Sequence, residues 1–302
     1  MSIAHYIKEI GRGKDGARSL SREQAADLFG QVLDGTITDL EMGAFCLAMR
    51  IKGETPQEMA GFLDATHQRL QRFTASTRPV VVIPSYNGAR RLPNLTPLLA
   101  LLLAREGLPV LVHGTATEIS RVSSSSILAE LGVPVLEKIQ PLAPGAVAFA
   151  PTGLLCPGLQ ALLNVRRVVG LRNPGHSLVK LMNPVQGASL IVSSYTHPEY
   201  AVSMAAVFEL MQAHALLLRG TEGESVADPR RVPHMESFLG GQRRLLTDTQ
   251  GGTLQSLPEL PKDISAASTA SYTRQVLDGA CALPGPIATQ LEHILRLVSQ
   301  LV

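Results

Sequence analysis

The stretch VVVIPSYNGARRLPNLTPLLALLLAREG, residues 80–107, decides the fold. It opens on four β-branched residues, passes through a turn at Ser85-Tyr86-Asn87-Gly88-Ala89-Arg90-Arg91, and continues as a strongly apolar helix. An apolar run with no polar alternation is the pattern of a strand buried on both faces, as in a parallel sheet covered by helices. A turn between such a strand and its helix is where phosphates are commonly cradled by bare backbone amides. Here it carries one glycine and two arginines.

Outward from this unit the pattern repeats. PVLVHG (109–114), VPVL (133–136), AVAFAP (146–151), SLIVSS (189–194) and ALLLRG (215–220) read as further buried strands separated by helices, which predicts an α/β domain with a mainly parallel central sheet. The first seventy residues follow a different period. Ser21 with Gln24, Thr38 with Glu41, and Thr55 with Glu58 behind Pro56 form three capping boxes, each followed by apolar residues at helical spacing. Gly35 and Gly53 fall between successive helices, where a C-terminal cap wants a positive φ. The expected organisation is a small N-terminal helical domain over 1–73, joined by helices from about 157–183, and a larger α/β domain over 74–302. The stretch 230–269, rich in Gly, Pro, Gln and Ser, is expected to be surface loops with an edge excursion, and 287–301 a final helix.

Composition bounds the function. Of 302 residues, 45% are hydrophobic and 17% charged, as in a packed globular chain. The longest apolar run, Leu98 to Ala104, is too short to span a bilayer, and the N-terminus lacks a signal-peptide core, so the expectation is a cytoplasmic protein with no membrane partner. Cys46, Cys156 and Cys281 form no CxxC pair and are expected to be buried, reduced thiols.

The formal net charge is only +2, but its distribution is uneven. Residues 65–105 hold six arginines and no acid, and residues 138–198 hold five cations and no acid. Arginine outnumbers lysine 21 to 6, which suits bidentate contacts to phosphate. Core segments rich in Leu, Ala and Val also leave little room for acids, so packing is the competing explanation. No Ser/His/Asp arrangement, HExxH or Walker motif is present, and His67, His176 and His197 read as structural or capping residues. Trp is absent and aromatics are few, which argues against a broad stacking platform; Tyr86 is the one aromatic placed to stack.

The order of segments resembles a known family. TDLEMGAFCLAMRIKGETPQEMAGFLDA (38–65) is similar to the N-terminal domain of the anthranilate phosphoribosyltransferase and nucleoside phosphorylase families. NLTPLLALLLAREGLPVLVHG (94–114), SSSSILAELGVPV (123–135), VRRVVGLRNPGHSLVKLMNPV (165–185) and RGTEGE (219–224) extend the likeness along nearly the whole chain. IKEIGRGK (7–14), RIKGE (50–54), IPSYNGAR (83–90) and HPEY (197–200) are similar to the YbiB branch of that superfamily, which implies nucleic-acid binding rather than biosynthesis. The resemblance implies a two-domain fold and a homodimer formed through the helical domain.

The departures from the enzymes matter most. Their Gly-Thr-Gly-Gly-Asp turn, which approaches the diphosphate of phosphoribosyl pyrophosphate, is matched by Pro84-Ser85-Tyr86-Asn87-Gly88. Side chains now fill space that glycines leave open, and a proline removes one donor. Asn94 of the following Asn-Leu-Thr-Pro is kept, whereas the lysine before His113 is a valine. The acidic pair that carries magnesium falls on Ser225-Val226, and valine offers a cation nothing. Glu222 and Glu224, close by, could in principle recruit a metal. Ser123 to Ser126 keep hydroxyls at a helix start, for N-capping or for an anion. Arg166 matches the arginine that meets the acceptor's carboxylate, Arg172 lies at another cationic position, and Arg167 and Lys180 add charge.

The resulting expectation is a non-enzymatic homodimer that binds nucleic acid through its phosphate backbone, without sequence preference, and needs no cofactor and no metal. The candidate contacts are Tyr86, Asn87, Arg90, Arg91, Arg166, Arg167, Arg172 and Lys180, with Arg230-Arg231 and Arg243-Arg244 as secondary ones. The alternative is a magnesium-dependent pentosyltransferase with an unidentified acceptor, in which Glu222 or Glu224 replaces the usual carboxylates. A third reading keeps the cleft as a small-anion sensor.

Overall fold

The computed structural model describes residues 2–13, 15–75, 77–118, 120–253 and 257–301. Four helices come first: α1 (Ala4–Ile10), α2 (Arg22–Leu33), α3 (Asp39–Lys52) and α4 (Pro56–Arg69). Then come β1 (Phe73–Thr74), β2 (Val80–Ser85), α5 (Thr96–Arg105), β3 (Val110–Gly114), α6 (Ser124–Glu130) and β4 (Val147–Pro151). Four short helices follow: α7 (Thr152–Leu155), α8 (Pro157–Asn164), α9 (Arg166–Val169) and α10 (Gly175–Leu178). The chain ends through β5 (Val185–Gln186), β6 (Ser189–Tyr195), α11 (Pro198–Leu210), β7 (Ala215–Arg219), β8 (Met235–Leu239), β9 (Gln242–Thr247), α12 (Ala266–Leu277) and α13 (Gly285–Val298). Two compact units result: Met1–Gln71 with Thr152–Pro184, and Arg72–Pro151 with Val185–Val302.

In the helical unit all three capping boxes form in full, with Ser21, Thr38 and Thr55 each accepting the amide three residues on. Each such cap satisfies donors that a helix start otherwise leaves unpaired, and stabilises by about 1 kcal/mol. Phe29, Phe45 and Phe62, one from each of α2, α3 and α4, meet in the core, with Phe29 and Phe62 stacked at 4.5 Å. Helices α2 and α4 approach closely because Gly61 has no Cβ: one placed there would lie 2.2 Å from the Arg22 carbonyl oxygen. Gly35 and Gly53 take the positive φ expected of them, 65° and 78°. Glu58 is fully buried; its carboxylate accepts from the Lys52 ammonium at 2.6 Å and from the Leu20 and Thr55 amides.

The α/β unit is built on a seven-stranded sheet of order β4-β3-β2-β6-β7-β8-β9. The first five strands are parallel, and β8 and β9 add an antiparallel edge. β2 is central, so Val80, Val81, Val82 and Ile83 are all fully buried, which explains why its sequence does not alternate. Strand order runs outward in both directions from the β2/β6 pair, which makes the C-terminal ends of these two strands the topological switch point.

Two expectations are corrected. VPVL (133–136) is not a strand: it contributes a single bridge, Val135 to Phe149, on the outer edge of β4. Within 230–269, expected as surface loops with an edge excursion, the β8–β9 hairpin forms the antiparallel edge of the sheet and α12 begins at Ala266. β8 alternates only weakly, and β9 is exposed, so neither carries an apolar signal. Cys46 and Cys156 are buried thiols, but Cys281 is only half-buried. Burial pushes the Cys46 thiol up to about 11. Among the described residues no helix is long and apolar enough to cross a membrane.

Candidate functional site

The crevice at the switch point is where an open parallel sheet ordinarily receives a ligand. In this protein the loop after β7 fills it. Glu224 is 1% exposed, and its Oε1 accepts from the backbone amides of Asn87 at 2.8 Å and Gly88 at 2.7 Å. Its Oε2 accepts from the Ser85 hydroxyl at 2.5 Å, the Ser124 hydroxyl at 3.3 Å and the Thr96 hydroxyl at 3.4 Å. Five donors from β2, its turn, α5 and α6 thus converge on one buried carboxylate. Burial of a charge costs several kcal/mol unless it is fully hydrogen-bonded, and here both oxygens are.

Glu222 does the same one step along the turn. Its carboxylate accepts from three consecutive amides: Arg90 at 3.2 Å, Arg91 at 2.8 Å and Leu92 at 3.0 Å. The Arg121 guanidinium stands 3.8 Å from it, while also holding Glu118 and the Gly88 carbonyl. Successive amides aimed at one oxyanion form an anion nest.

The loop is held by contacts that require its glycines. A Cβ on Gly223 would lie 2.0 Å from Asn87 Nδ2, and one on Gly220 would lie 2.0 Å from the Glu224 carbonyl. Ser194, at the end of β6, donates to the Gly223 carbonyl, and Asn87 Nδ2 donates to the Glu222 carbonyl. Glu222 itself adopts φ +52°, a left-handed conformation that residues other than glycine rarely take.

Ser225 and Val226 face inward. Ser225 donates to the Pro84 carbonyl, and Val226 is fully buried in the core of the α/β unit. Magnesium therefore does not fit: the two family positions carry no carboxylate, and the neighbouring glutamates point both oxygens at N–H and O–H donors. No cluster of three or more His, Cys, Asp or Glu that could hold a metal occurs among the described residues.

The expected contact residues fall into three groups. Tyr86 is buried, and its hydroxyl lies 2.9 Å from His113 Nδ1, so its ring offers no face to a base; the expectation of stacking is corrected. His113 is fully buried, and burial pushes it down to about 3, so it stays neutral. Asn87 is engaged with Glu222 and Glu224, as above. Arg90 and Arg91 spend their amides on Glu222 while their side chains are exposed, with no carboxylate within 4 Å among the described residues. Arg166, Arg167, Arg172 and Lys180 belong to the helical unit. Arg166 and Arg167 open α9, which closes on Gly170 at φ +76°; Arg167 and Arg172 are exposed, and Arg166 and Lys180 are half-buried.

The secondary arginines are mostly committed. Arg230 grips Asp228 in a two-pronged pair, Arg231 donates to the Gln250 and Gly252 carbonyls, and Arg243 pairs with Glu236. Arg244 stays exposed on β9. Ser123 is the N-cap of α6, as capping chemistry predicts, whereas Ser124 is turned to Glu224.

Residues 4–69 match the model of the glycosyl transferase family, helical bundle domain. YbiB of Escherichia coli (strain K12), an uncharacterized protein, is 39% identical over 298 residues, covering 96% of this chain and 92% of YbiB. The anthranilate phosphoribosyltransferase of Anaeromyxobacter sp. (strain K) is 30% identical over 297 residues, covering 93% and 84%. The chain belongs to this glycosyl transferase family. Family members also share its fold: the anthranilate phosphoribosyltransferase of Thermus thermophilus matches with a TM-score of 0.72 at 23% identity, over 94% of this chain and 85% of that one. The Saccharomyces cerevisiae enzyme, solved in complex with PRPP and Mg, matches at 0.70 and 14% identity, over 99% and 88%.

The sequence signal for Glu222 and Glu224 was weak. Two acids in a Gly-flanked loop, about 130 residues from the turn, suggested a metal; only the fold shows them taking the place of an anion.

Proposed function

We propose that this protein is a non-enzymatic, cytoplasmic binder of nucleic acid that recognises the phosphate backbone and works as a homodimer. The observation that carries the reading is Glu224, whose buried carboxylate occupies the Asn87 and Gly88 amides at the switch point. With these donors satisfied internally, the turn no longer offers them to a small diphosphate, and its arginines, Arg90 and Arg91, project into solvent. Arg167 and Arg172 present further exposed guanidinium groups in a segment that has no acid. Binding of this kind is sequence-tolerant and falls steeply with salt. The homodimer reading is supported by Leu40, Leu47 and Ile51, which lie on one face of α3 and are 84%, 47% and 57% exposed. The test is titration with single- and double-stranded oligonucleotides from low to moderate salt. Saturable binding whose affinity drops with salt is expected; no binding even at low salt overturns the reading.

A second reading, a magnesium-dependent pentosyltransferase, draws support from the 30% identity to an anthranilate phosphoribosyltransferase. It requires both glutamates to leave the turn. Calorimetry with phosphoribosyl pyrophosphate and magnesium separates the two: heat at millimolar ligand favours the transferase, and its absence favours the nucleic-acid binder.

A further inference from the structure

We infer that the amides of Arg90, Arg91 and Leu92, together with the Arg121 guanidinium, form a phosphate-binding site that Glu222 closes as a displaceable internal occupant. This deepens the nucleic-acid reading and rests on it for the source of the phosphate.

The two glutamates are not equivalent. Glu224 is 1% exposed and held by five donors on two oxygens, three of them side-chain hydroxyls from separate elements. Releasing it would leave a group of buried donors without an acceptor. Glu222 retains 15% side-chain exposure, its partners are backbone amides of an exposed turn, and its own backbone is strained at φ +52°. Strain of this sort persists only where the surroundings impose it. Here the imposed geometry places a carboxylate on the nest, and release of Glu222 returns the strain.

The donors suit an oxyanion with more than one oxygen. Three consecutive amides converge from one side, Arg121 approaches from another, and the Arg90 and Arg91 side chains stand exposed at the same turn. Both a free phosphate and a backbone phosphodiester present oxygens of that kind. Glu118, 3.1 Å from Arg121 Nε, and the buried Glu224 on the neighbouring Asn87 and Gly88 amides add negative charge beside the site and oppose a doubly charged ligand, which favours the singly charged phosphodiester. The apparent affinity of such a site is reduced by the fraction of molecules in which Glu222 is in place.

The experiment compares the full chain with its Glu222→Gln and Glu222→Gly variants, the second because glycine adopts φ +52° without strain. Each is titrated with inorganic phosphate and, separately, with a single-stranded oligonucleotide, while the Arg90, Arg91 and Leu92 amide resonances are followed. Both variants are expected to bind the oligonucleotide about tenfold tighter or better, with those three amides shifting. Tightening for inorganic phosphate alone supports the gated site and removes nucleic acid as its source. Folded variants that bind neither probe more tightly than the parent, with the three amides unmoved, overturn the inference; parental oligonucleotide binding then still stands or falls by itself.

Discussion

The Ser85 hydroxyl donates to Glu224 Oε2 at 2.5 Å, joining the end of β2 to a loop 139 residues later in the chain. That bond lies at the switch point, where an open parallel sheet ordinarily receives a ligand. Glu224→Ala is expected to lower stability by about 3 kcal/mol, because it strands the Asn87 and Gly88 amides and three hydroxyls. Urea unfolding checks this, and an unchanged midpoint would contradict the buried network.

Charge reversal of the exposed pair, Arg90→Glu with Arg91→Glu, is expected to leave stability within about 0.5 kcal/mol, since neither side chain holds a partner carboxylate among the described residues. Duplex affinity should fall, with the slope of log K against log salt shrinking by about 2 if each arginine meets one phosphate. Equal slopes in the folded variant and the parent would remove both residues from the interface.

His113 gives the protein an acid limb. Its pKa is pushed down from 6.5 to about 3 by burial, so between these values the unfolded chain holds a proton that the native protein does not. Stability from this residue is therefore fully present above about 6.5 and is lost toward pH 3, at up to about 1.4 kcal/mol per pH unit. His113→Asn, which keeps an acceptor near the Tyr86 hydroxyl, should flatten that limb by about one proton in unfolding midpoints measured from about pH 7 to 4.

Gly61→Ala tests the helical unit. The new methyl meets the Arg22 carbonyl and Ala25 Cβ, so α2 and α4 must separate, at a cost of about 2 kcal/mol. Thermal unfolding should move down accordingly. Gly43→Ala, with nothing within 4 Å of its new Cβ, is the control that should be neutral or stabilising.

What could be read in advance follows the range of the interactions. Capping boxes span three residues, and buried strands declare themselves by composition, so Ser21, Thr38, Thr55 and the run Val80–Ile83 could be placed from the chain alone. The edge hairpin 235–247 was legible only as an edge excursion, because its outer strand β9 is exposed and shows no apolar alternation, although it pairs locally with β8. The burial of Tyr86 is also not legible in the chain. Its neighbours in sequence are polar, but its burial depends on His113 from the adjacent strand.

Local propensity and period are written into the chain itself, and they suffice for a helical unit, a mainly parallel α/β unit, and a turn at 84–92 with a single glycine. What that turn holds is a matter of long-range packing. Backbone amides look alike in every sequence, and whether they face water, a phosphate or a carboxylate depends on which loop the sheet order brings over them. Here that order delivers Glu222 and Glu224.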